Sequence, residues 1–379
     1  MSEKQSSWRS ELPAFLEEAW SHADYQSPTK VQDKSIPFIL DGRDVIAEAP
    51  TGSGKTIAYL LPLLQKIDPE KKRTQVLVLA SSHELVMQIN AEVQAWTKGS
   101  GITSASLIGG ANVKRQIDKL KKKPNIVMGT PGRVNELIQK KKLKAHEFQT
   151  IVLDEADQLL VPEHMKMVQQ IINSSLKERQ LLIFSATLPE KVEELAANFM
   201  KDAEVIRIQQ EEMKPEVTHG YISCEDREKV ELLRKAARTK DFKGLAFMKD
   251  IGSLTVFKEK LEFHHLDLAV LHSDAKKEQR AKALKGFRNG DWSLLLATDV
   301  AARGLDIPDI NYIVNLDIPK EISSYIHRAG RTSRIGSQEA GTVLSLVNSV
   351  EEKRLKKYAR DLNIPLQRKE IYKGEIKDN

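Results

Sequence analysis

The sequence is nearly empty of cysteine: Cys224 is the single one among 379 residues. That excludes an intrachain disulfide and any zinc site built on several thiolates, and it fits a reducing compartment. Long apolar runs are also missing, and no stretch approaches the roughly 20 residues that a membrane-crossing helix needs. The start, Met1 to Ser10, is polar and has no apolar core of the kind a secretory signal carries. No short tandem repeat is visible. The end, Asn363 to Asn379, reads as short and charged, with no Arg/Gly-rich tail and no third domain. These absences leave a soluble, cytoplasmic protein with no membrane role as the expectation.

What is present is length, mixed charge and a repeated pattern. A chain of 379 residues exceeds one ordinary domain, so two are expected. Its apolar fraction of 40% supplies substantial cores. Charged residues make up 30%, and the balance is +6 with a pI near 9.0, which permits a polyanionic partner without requiring one. The lysine clusters Lys119–Lys123 and Lys140–Lys144 read first as solvated helix ends or loops, with nucleic-acid contact as the alternative.

After a helical opening from Ser7 to Leu40, short apolar runs alternate with amphipathic segments. The runs Val45–Ala47, Val76–Leu79, Ile126–Met128, Ile151–Leu153, Leu181–Phe184 and Val205–Ile208 are strand candidates. A polar, proline-containing stretch, Gln209 to Glu216, interrupts them. The alternation then resumes at Tyr221–Ser223, Leu245–Phe247, Leu268–Leu271, Leu294–Ala297, Tyr312–Asn315 and Thr342–Val347. This predicts an α/β fold of two parallel-sheet domains, 1–208 and 218–379, with a linker at 209–217.

Ile151-Val152-Leu153-Asp154-Glu155-Ala156-Asp157 places an acidic pair at the C-terminal end of a buried strand. Open parallel sheets put ligand groups there, although Asp-Glu after a strand is often only a polar loop. Its weight comes from Ala49-Pro50-Thr51-Gly52-Ser53-Gly54-Lys55-Thr56, which follows one strand and precedes a helical run. That is the context of a P-loop. The glycines let backbone N–H groups turn toward phosphate, Lys55 reaches the β- and γ-phosphates, and Thr56 ligates Mg²⁺. With it, Asp154 becomes the second magnesium group and Glu155 the residue that orients or deprotonates water, so a nucleoside triphosphate and Mg²⁺ are the expected substrate and cofactor.

Asp154-Glu155-Ala156-Asp157 spells the name of the DEAD-box RNA helicases, and the chain resembles that family from about Trp8 to about Leu346. The resemblance implies two tandem RecA-like domains with a cleft between them. Tyr25-Gln26-Ser27-Pro28-Thr29-Lys30-Val31-Gln32 is similar to the family's adenine-selecting motif, which makes Gln32 the reader of the base, Tyr25 its neighbour and Trp8 the upstream aromatic. Ala49 stands where the general P-loop has glycine, as in many nucleic-acid motor ATPases. Ser185-Ala186-Thr187 resembles the motif that, with Asp157 and His327, couples hydrolysis to strand separation.

In His327-Arg328-Ala329-Gly330-Arg331-Thr332-Ser333-Arg334 the arginines recur every third residue and would share one helix face. The resemblance implies that Arg331 and Arg334 reach the γ-phosphate from the second domain. An arginine finger is worth roughly 10³–10⁵ in rate. In Ala297 to Asp306, Gly304 is implied at the γ-phosphate, Asp306 at the ribose hydroxyls and Thr298 at RNA phosphate.

Further stretches resemble the family's RNA-backbone contacts: Ser81-Ser82-His83-Glu84-Leu85, Gly109-Gly110, Thr130-Pro131-Gly132-Arg133, and in the second domain His272-Ser273-Asp274 with Arg280. Small residues, hydroxyls and an arginine suit phosphate and 2′-hydroxyl contact, so binding should be independent of RNA sequence. The first departs from the family's Pro-Thr-Arg-Glu-Leu. Ser273 and Lys277 replace the usual glycine and glutamine. RNA contact should be weakened or re-tuned by these changes.

The leading expectation is an RNA-dependent ATPase and helicase, a monomer that separates RNA duplexes or remodels RNA–protein complexes. A partner protein or a structured RNA would guide it, with pre-ribosomal particles and ribosome assembly as the expected setting. An ATP-gated RNA clamp with little unwinding uses the same motifs. A DNA helicase is disfavoured by Gln32 and the four-residue acidic motif.

Overall fold

The computed structural model describes residues 7–23, 25, 27–188, 190–208, 217–272, 274–275, 277–302, 310–332 and 341–378. The chain divides into two compact units, Met1–Met213 and Lys214–Asn379. Most of the linker expected at 209–217 lies outside the described residues.

The first unit holds seven strands: β1 (Val45–Glu48), β2 (Val76–Leu79), β3 (Ser104–Leu107), β4 (Ile126–Gly129), β5 (Thr150–Asp154), β6 (Gln180–Ser185) and β7 (Glu204–Arg207). They form one sheet in the order β3-β4-β2-β5-β6-β1-β7, and every pairing is parallel. The interior strands are short runs rich in Val, Ile and Leu because both faces are covered. Alternate side chains divide between two cores. Val45, Val76, Val78 and Val152 enter one; Ile46, Leu77, Leu79, Ile151 and Leu153 enter the other.

The second unit repeats the plan with β8 (Thr218–Ser223), β9 (Gly244–Met248), β10 (Ala269–Leu271), β11 (Leu294–Thr298), β12 (Tyr312–Asn315), β13 (Thr342–Val347), β14 (Leu366–Tyr372) and β15 (Glu375–Asp378). Their order is β10-β11-β9-β12-β13-β8-β14-β15. The pairings are parallel as far as β14, and β15 closes an antiparallel hairpin on it.

The fold class read from the alternation is the one found. Two local readings are corrected. β3, Ser-Ala-Ser-Leu, carried no apolar run because it is an edge strand lined by small residues. The plain charged end is in fact the β14–β15 hairpin. It turns through Lys373 and Gly374, both at positive φ (49° and 80°), and its charges face water on an exposed edge.

Candidate nucleotide and RNA site

Parallel strands bring all their C-terminal ends to one edge of the sheet, and strand order then decides which motif neighbours which. Along the first sheet that edge carries, in turn, Gly109-Gly110 after β3, Thr130 after β4, Ser81 after β2, Asp154-Glu155 at β5, Ser185 at β6 and the phosphate loop after β1. The expected RNA stretches therefore lie to one side of the acidic pair and the expected ATP loop to the other.

The loop Ala49 to Gly54 opens where Ala49 N–H donates to the Ser185 carbonyl at 3.0 Å. Gly52 and Gly54 adopt φ of 78° and 87°, which side-chain-bearing residues rarely do. Pro50, Thr51 and the buried Ser53 complete the loop, and Lys55 opens the helix Lys55–Lys66. The Lys55 ammonium is buried and donates to the carbonyls of Ala49 (2.6 Å) and Pro50 (2.8 Å). It is held inside the cradle that it is expected to serve.

Gln32 is also built into the loop. Its amide oxygen accepts from Thr29 N–H at 2.9 Å, and its nitrogen donates to the Gly54 carbonyl at 3.3 Å. One amide N–H and one lone pair remain for another partner. Tyr25 is 42% exposed and stacks on Trp96 at 6.2 Å, while Trp20 N–H donates to the Tyr25 carbonyl. Trp8 is placed differently. It is buried in the core, edge-on to Trp20, whose ring in turn meets Tyr25.

Asp154 ends β5 almost fully buried, at 3% exposure. One carboxylate oxygen accepts from the Tyr59 hydroxyl at 2.8 Å and the other from Glu155 N–H at 2.9 Å. Burial, and then the Glu155 charge, push its carboxyl up to about 6. Burial, and then Asp154, hold the Tyr59 phenol well above its ordinary range, so it stays a donor. Tyr59 also interacts with the Thr56 hydroxyl. Glu155 has a left-handed backbone (φ 51°, ψ 53°), a conformation a non-glycine residue holds at a cost of about 1–3 kcal/mol. Its carboxylate accepts from the Ser81 hydroxyl at 2.8 Å.

Asp157 is buried and tied to β6. Its N–H and one carboxylate oxygen meet the Ser185 hydroxyl at 3.2 and 2.8 Å, and Thr187 donates to the other oxygen at 3.1 Å. These are three of the four expected coupling residues. His327 belongs to the second unit, on the helix Ile322–Ala329.

On the RNA side, Ser82 caps the helix His83–Trp96 by accepting from Leu85 N–H at 3.1 Å. His83 packs so near Gly109 that an added Cβ there would meet its ring at 3.2 Å. Gly110 has φ 67°. Thr130 precedes a helix that Pro131 begins. Arg133 is less open than a phosphate ligand in waiting. Its guanidinium pairs with Glu136 at 2.9 Å and donates to the Ala111 carbonyl at 3.3 Å, linking two of the expected contact stretches.

In the second unit Thr298 is buried at the end of β11, and Arg280 directs its guanidinium at the carbonyls of His272 and Ala301, each at 3.5 Å. The arginine row is corrected in part. The helix ends at Ala329, so Arg331 lies in the turn beyond it rather than on a shared face. Arg328, given no role by the sequence reading, is the buried member. It binds Asp299 through two bonds (2.6 and 2.7 Å), Asp317 and Asn315 at 3.1 Å, and stacks over Phe247. Gly304, Asp306, Arg334, Ser273 and the Lys277 side chain lie outside the described residues.

Sequence reasoning also missed Tyr59 and the partner of Ser81. A signal existed for each. Tyr59 stands one helical turn after Lys55, and Ser81 is the first departure from the resembled motif. A groove on the second unit, lined by Tyr221, Lys353, Lys356, Arg360 and Leu366, holds none of these motif residues. Cys224 is half-buried, and burial pushes its thiol up to about 11, which disfavours a thiolate role.

Oxygen donors alone, Asp154 and Thr56, fit a hard cation such as Mg²⁺, which takes few protein ligands beside substrate phosphates. No cluster of three or more His, Cys, Asp or Glu suited to a metal occurs among the described residues. No helix there is long and apolar enough to cross a membrane.

Residues 29–195 match the DEAD/DEAH box helicase family model, and residues 228–336 match the helicase conserved C-terminal domain. The chain is 50% identical to a probable ATP-dependent RNA helicase, YfmL, of Bacillus subtilis, over 96% of each chain. It is 47% identical to the DEAD-box ATP-dependent RNA helicase CshC of Bacillus cereus, over 97% of this chain and 94% of the other. Among solved structures it is similar to S. cerevisiae Dbp5 bound to RNA and ADP BeF3, with a TM-score of 0.87 and 28% identity, covering 96% and 95% of the two chains.

Proposed function

Because this chain belongs to the DEAD-box family of ATP-dependent RNA helicases, we propose that its first unit hydrolyses ATP through the residues gathered at the C-terminal edge of its sheet. The observation that carries this is the convergence there of a positive-φ glycine loop, a buried lysine and a buried acidic pair.

Gln32 offers its remaining donor and acceptor to the adenine edge, beside Tyr25, and transmits occupancy to Gly54 through the bond it already makes. Loop N–H groups surround the phosphates. Lys55 exchanges the Ala49 and Pro50 carbonyls for phosphate oxygens, gaining charge complementarity. Thr56 and Asp154 would hold Mg²⁺, which when bound neutralises phosphate charge. Glu155 orients the attacking water and takes its proton, and ADP and phosphate leave. Arg331 and Arg334 supply positive charge to the γ-phosphate, with Gly304 and Asp306 completing the nucleotide contacts. Asp157, bonded to Ser185 and Thr187, passes the state of the site toward RNA with His327.

RNA is bound along its backbone by Gly110, Thr130, Pro131, Arg133, His272, Arg280 and Thr298, without base reading. Support for an RNA target comes from the RNA held by the Dbp5 structure. We infer a structured RNA of ribosome assembly as the target, and a monomer in the cytoplasm as the working form. The altered stretch Ser81-Ser82-His83 supports a protein guided to its RNA by shape or by a partner.

The decisive test is Glu155→Gln. It should lose ATP hydrolysis while keeping ATP-dependent RNA binding. A normal hydrolysis rate would refute the role given to Glu155. RNA crosslinked to that variant and sequenced would identify the target, and absence of ribosomal RNA would refute ribosome assembly. A duplex-displacement assay on the wild type decides between separation and an ATP-gated clamp, which would bind RNA with ATP and release no strand.

A further inference from the structure

We propose that Ser81 is a positioning residue for the catalytic Glu155, and that it ties the RNA-contact stretch to the hydrolytic centre within one sheet edge. The inference rests on the reading of Glu155 given above.

Strand order makes the contact. β2 lies directly beside β5, so the residue just past β2 stands next to the residue just past β5. The chain leaves β2 at Leu79, passes Ala80, and presents the Ser81 hydroxyl to Glu155 Oε2 at 2.8 Å. A hydroxyl donor to a carboxylate at that distance is charge-assisted and directional. It fixes the plane of a side chain whose own backbone is in the left-handed region. An orientation fixed in advance is what a water-positioning carboxylate needs, because misplacement by about 1 Å costs on the order of 10²-fold in rate.

The next two residues give the bond its second role. Ser82 caps the helix His83–Trp96, and His83 packs on Gly109 of the neighbouring contact stretch. Three successive residues thus touch the catalytic glutamate, a helix start and a candidate phosphate-binding turn. A shift of this segment on RNA contact moves the Ser81 hydroxyl and, through it, the Glu155 carboxylate. The proline that begins the resembled family motif has no side-chain donor, so the sequence change at Ser81 adds a hydrogen bond.

The test compares Ser81→Ala and Ser81→Thr in the full chain, with steady-state ATPase measured across ATP and RNA concentrations. Ser81→Ala should lower RNA-stimulated kcat about tenfold. KM for ATP and the RNA concentration for half-activation should stay within about twofold, because the residue is placed on the water-positioning step and not on binding. Ser81→Thr keeps the hydroxyl and should recover most of the rate. An unchanged kcat in Ser81→Ala overturns the inference. So does a loss confined to RNA half-activation, which would make Ser81 a simple RNA contact. So does a fall in kcat that Ser81→Thr does not recover, or that tracks a large fall in melting temperature in both variants. Glu155→Gln is run alongside. If it hydrolyses normally, the underlying reading fails; if it is inactive while Ser81→Ala is normal, the Ser81 inference alone fails.

Discussion

Neutralising Asp154 should stabilise the ligand-free protein while abolishing hydrolysis. The carboxyl is nearly fully buried, and burial with the adjacent Glu155 raises it to about 6 from an ordinary value of 3.8. A displacement of that size corresponds to about 3 kcal/mol of penalty for the charged form. In Asp154→Asn the side-chain oxygen can still accept from the Tyr59 hydroxyl, so packing and one hydrogen bond survive and the penalty is removed, while Glu155 N–H loses its acceptor at a cost of about 1 kcal/mol or more. For a unit of this size, the net gain of up to about 2 kcal/mol corresponds to a rise of up to roughly 4–8 °C in the melting temperature.

The sign with pH follows from proton uptake. Between about pH 4 and pH 6 the folded Asp154 binds more proton than the unfolded one, so wild-type stability falls as pH rises through that window. The penalty is absent below about pH 4 and complete above about pH 6. The gap between Asp154→Asn and wild type should therefore open across that window and stay constant above it. Thermal unfolding with a chelator and no nucleotide, from about pH 4 to pH 8, measures this. A variant no more stable than wild type at neutral pH, or a gap that is flat with pH, refutes the reasoning. Adding magnesium and ATP should stabilise the wild type more than the variant, since only the wild type recovers its penalty on binding.

Replacing Arg328 by Ala leaves Asp299 and Asp317 without their shared buried cation, and should destabilise the second unit by about 3–5 kcal/mol in denaturant unfolding; a loss below about 1 kcal/mol refutes the network. His219 is buried against the Tyr325 hydroxyl at 2.8 Å, and burial holds it down at about 4, so stability should fall as pH drops from about 6.5 to 4. His219→Gln should flatten that slope, and a slope unchanged by the substitution counts against it. Gly54→Ala meets both a φ of 87° and the Gln32 amide nitrogen at 2.5 Å, so it should cost more than about 1 kcal/mol and weaken ATP binding; equilibrium ATP binding at the wild-type level would show that the loop tolerates a Cβ.

The interior strands were legible because burial on both faces forces continuous Val, Ile and Leu, as in Val76–Leu79 and Ile151–Leu153. β3 and the β14–β15 hairpin were not, because β3 is lined by small residues and the hairpin's partly exposed strands are largely polar, so neither shows an apolar run. The candidate site was legible where chemistry constrains residue type: glycines at positive φ, a lysine at a helix start, acids at a strand end. It was not legible where a side chain acts through another. Nothing in the spacing of Tyr59 or Ser81 names the carboxylate it will meet, because that depends on which strands lie side by side. Arg328 was obscured for the opposite reason. It shares a pattern with Arg331 and Arg334, and only burial shows that it serves the fold.

Every principal side chain of the first unit's site already has an internal partner. Lys55 holds two loop carbonyls, Gln32 holds Thr29 and Gly54, Asp154 holds Tyr59, Glu155 holds Ser81, and Asp157 holds Ser185 and Thr187. Binding ATP therefore exchanges hydrogen bonds more than it creates them, and the net gain is the difference between charged ligand contacts and the internal ones they replace. Such an arrangement gives buried polar atoms hydrogen-bond partners before substrate arrives, while the Asp154 charge keeps a burial penalty for a bound cation to relieve. It also makes each internal partner a lever. Loosening Tyr59 acts on the proposed metal-binding group and loosening Ser81 acts on the water-positioning group, and of the two only Ser81 belongs to a stretch expected to touch RNA. If RNA contact controls hydrolysis from within this unit, Ser81 is a direct hydrogen-bonded route by which it can do so.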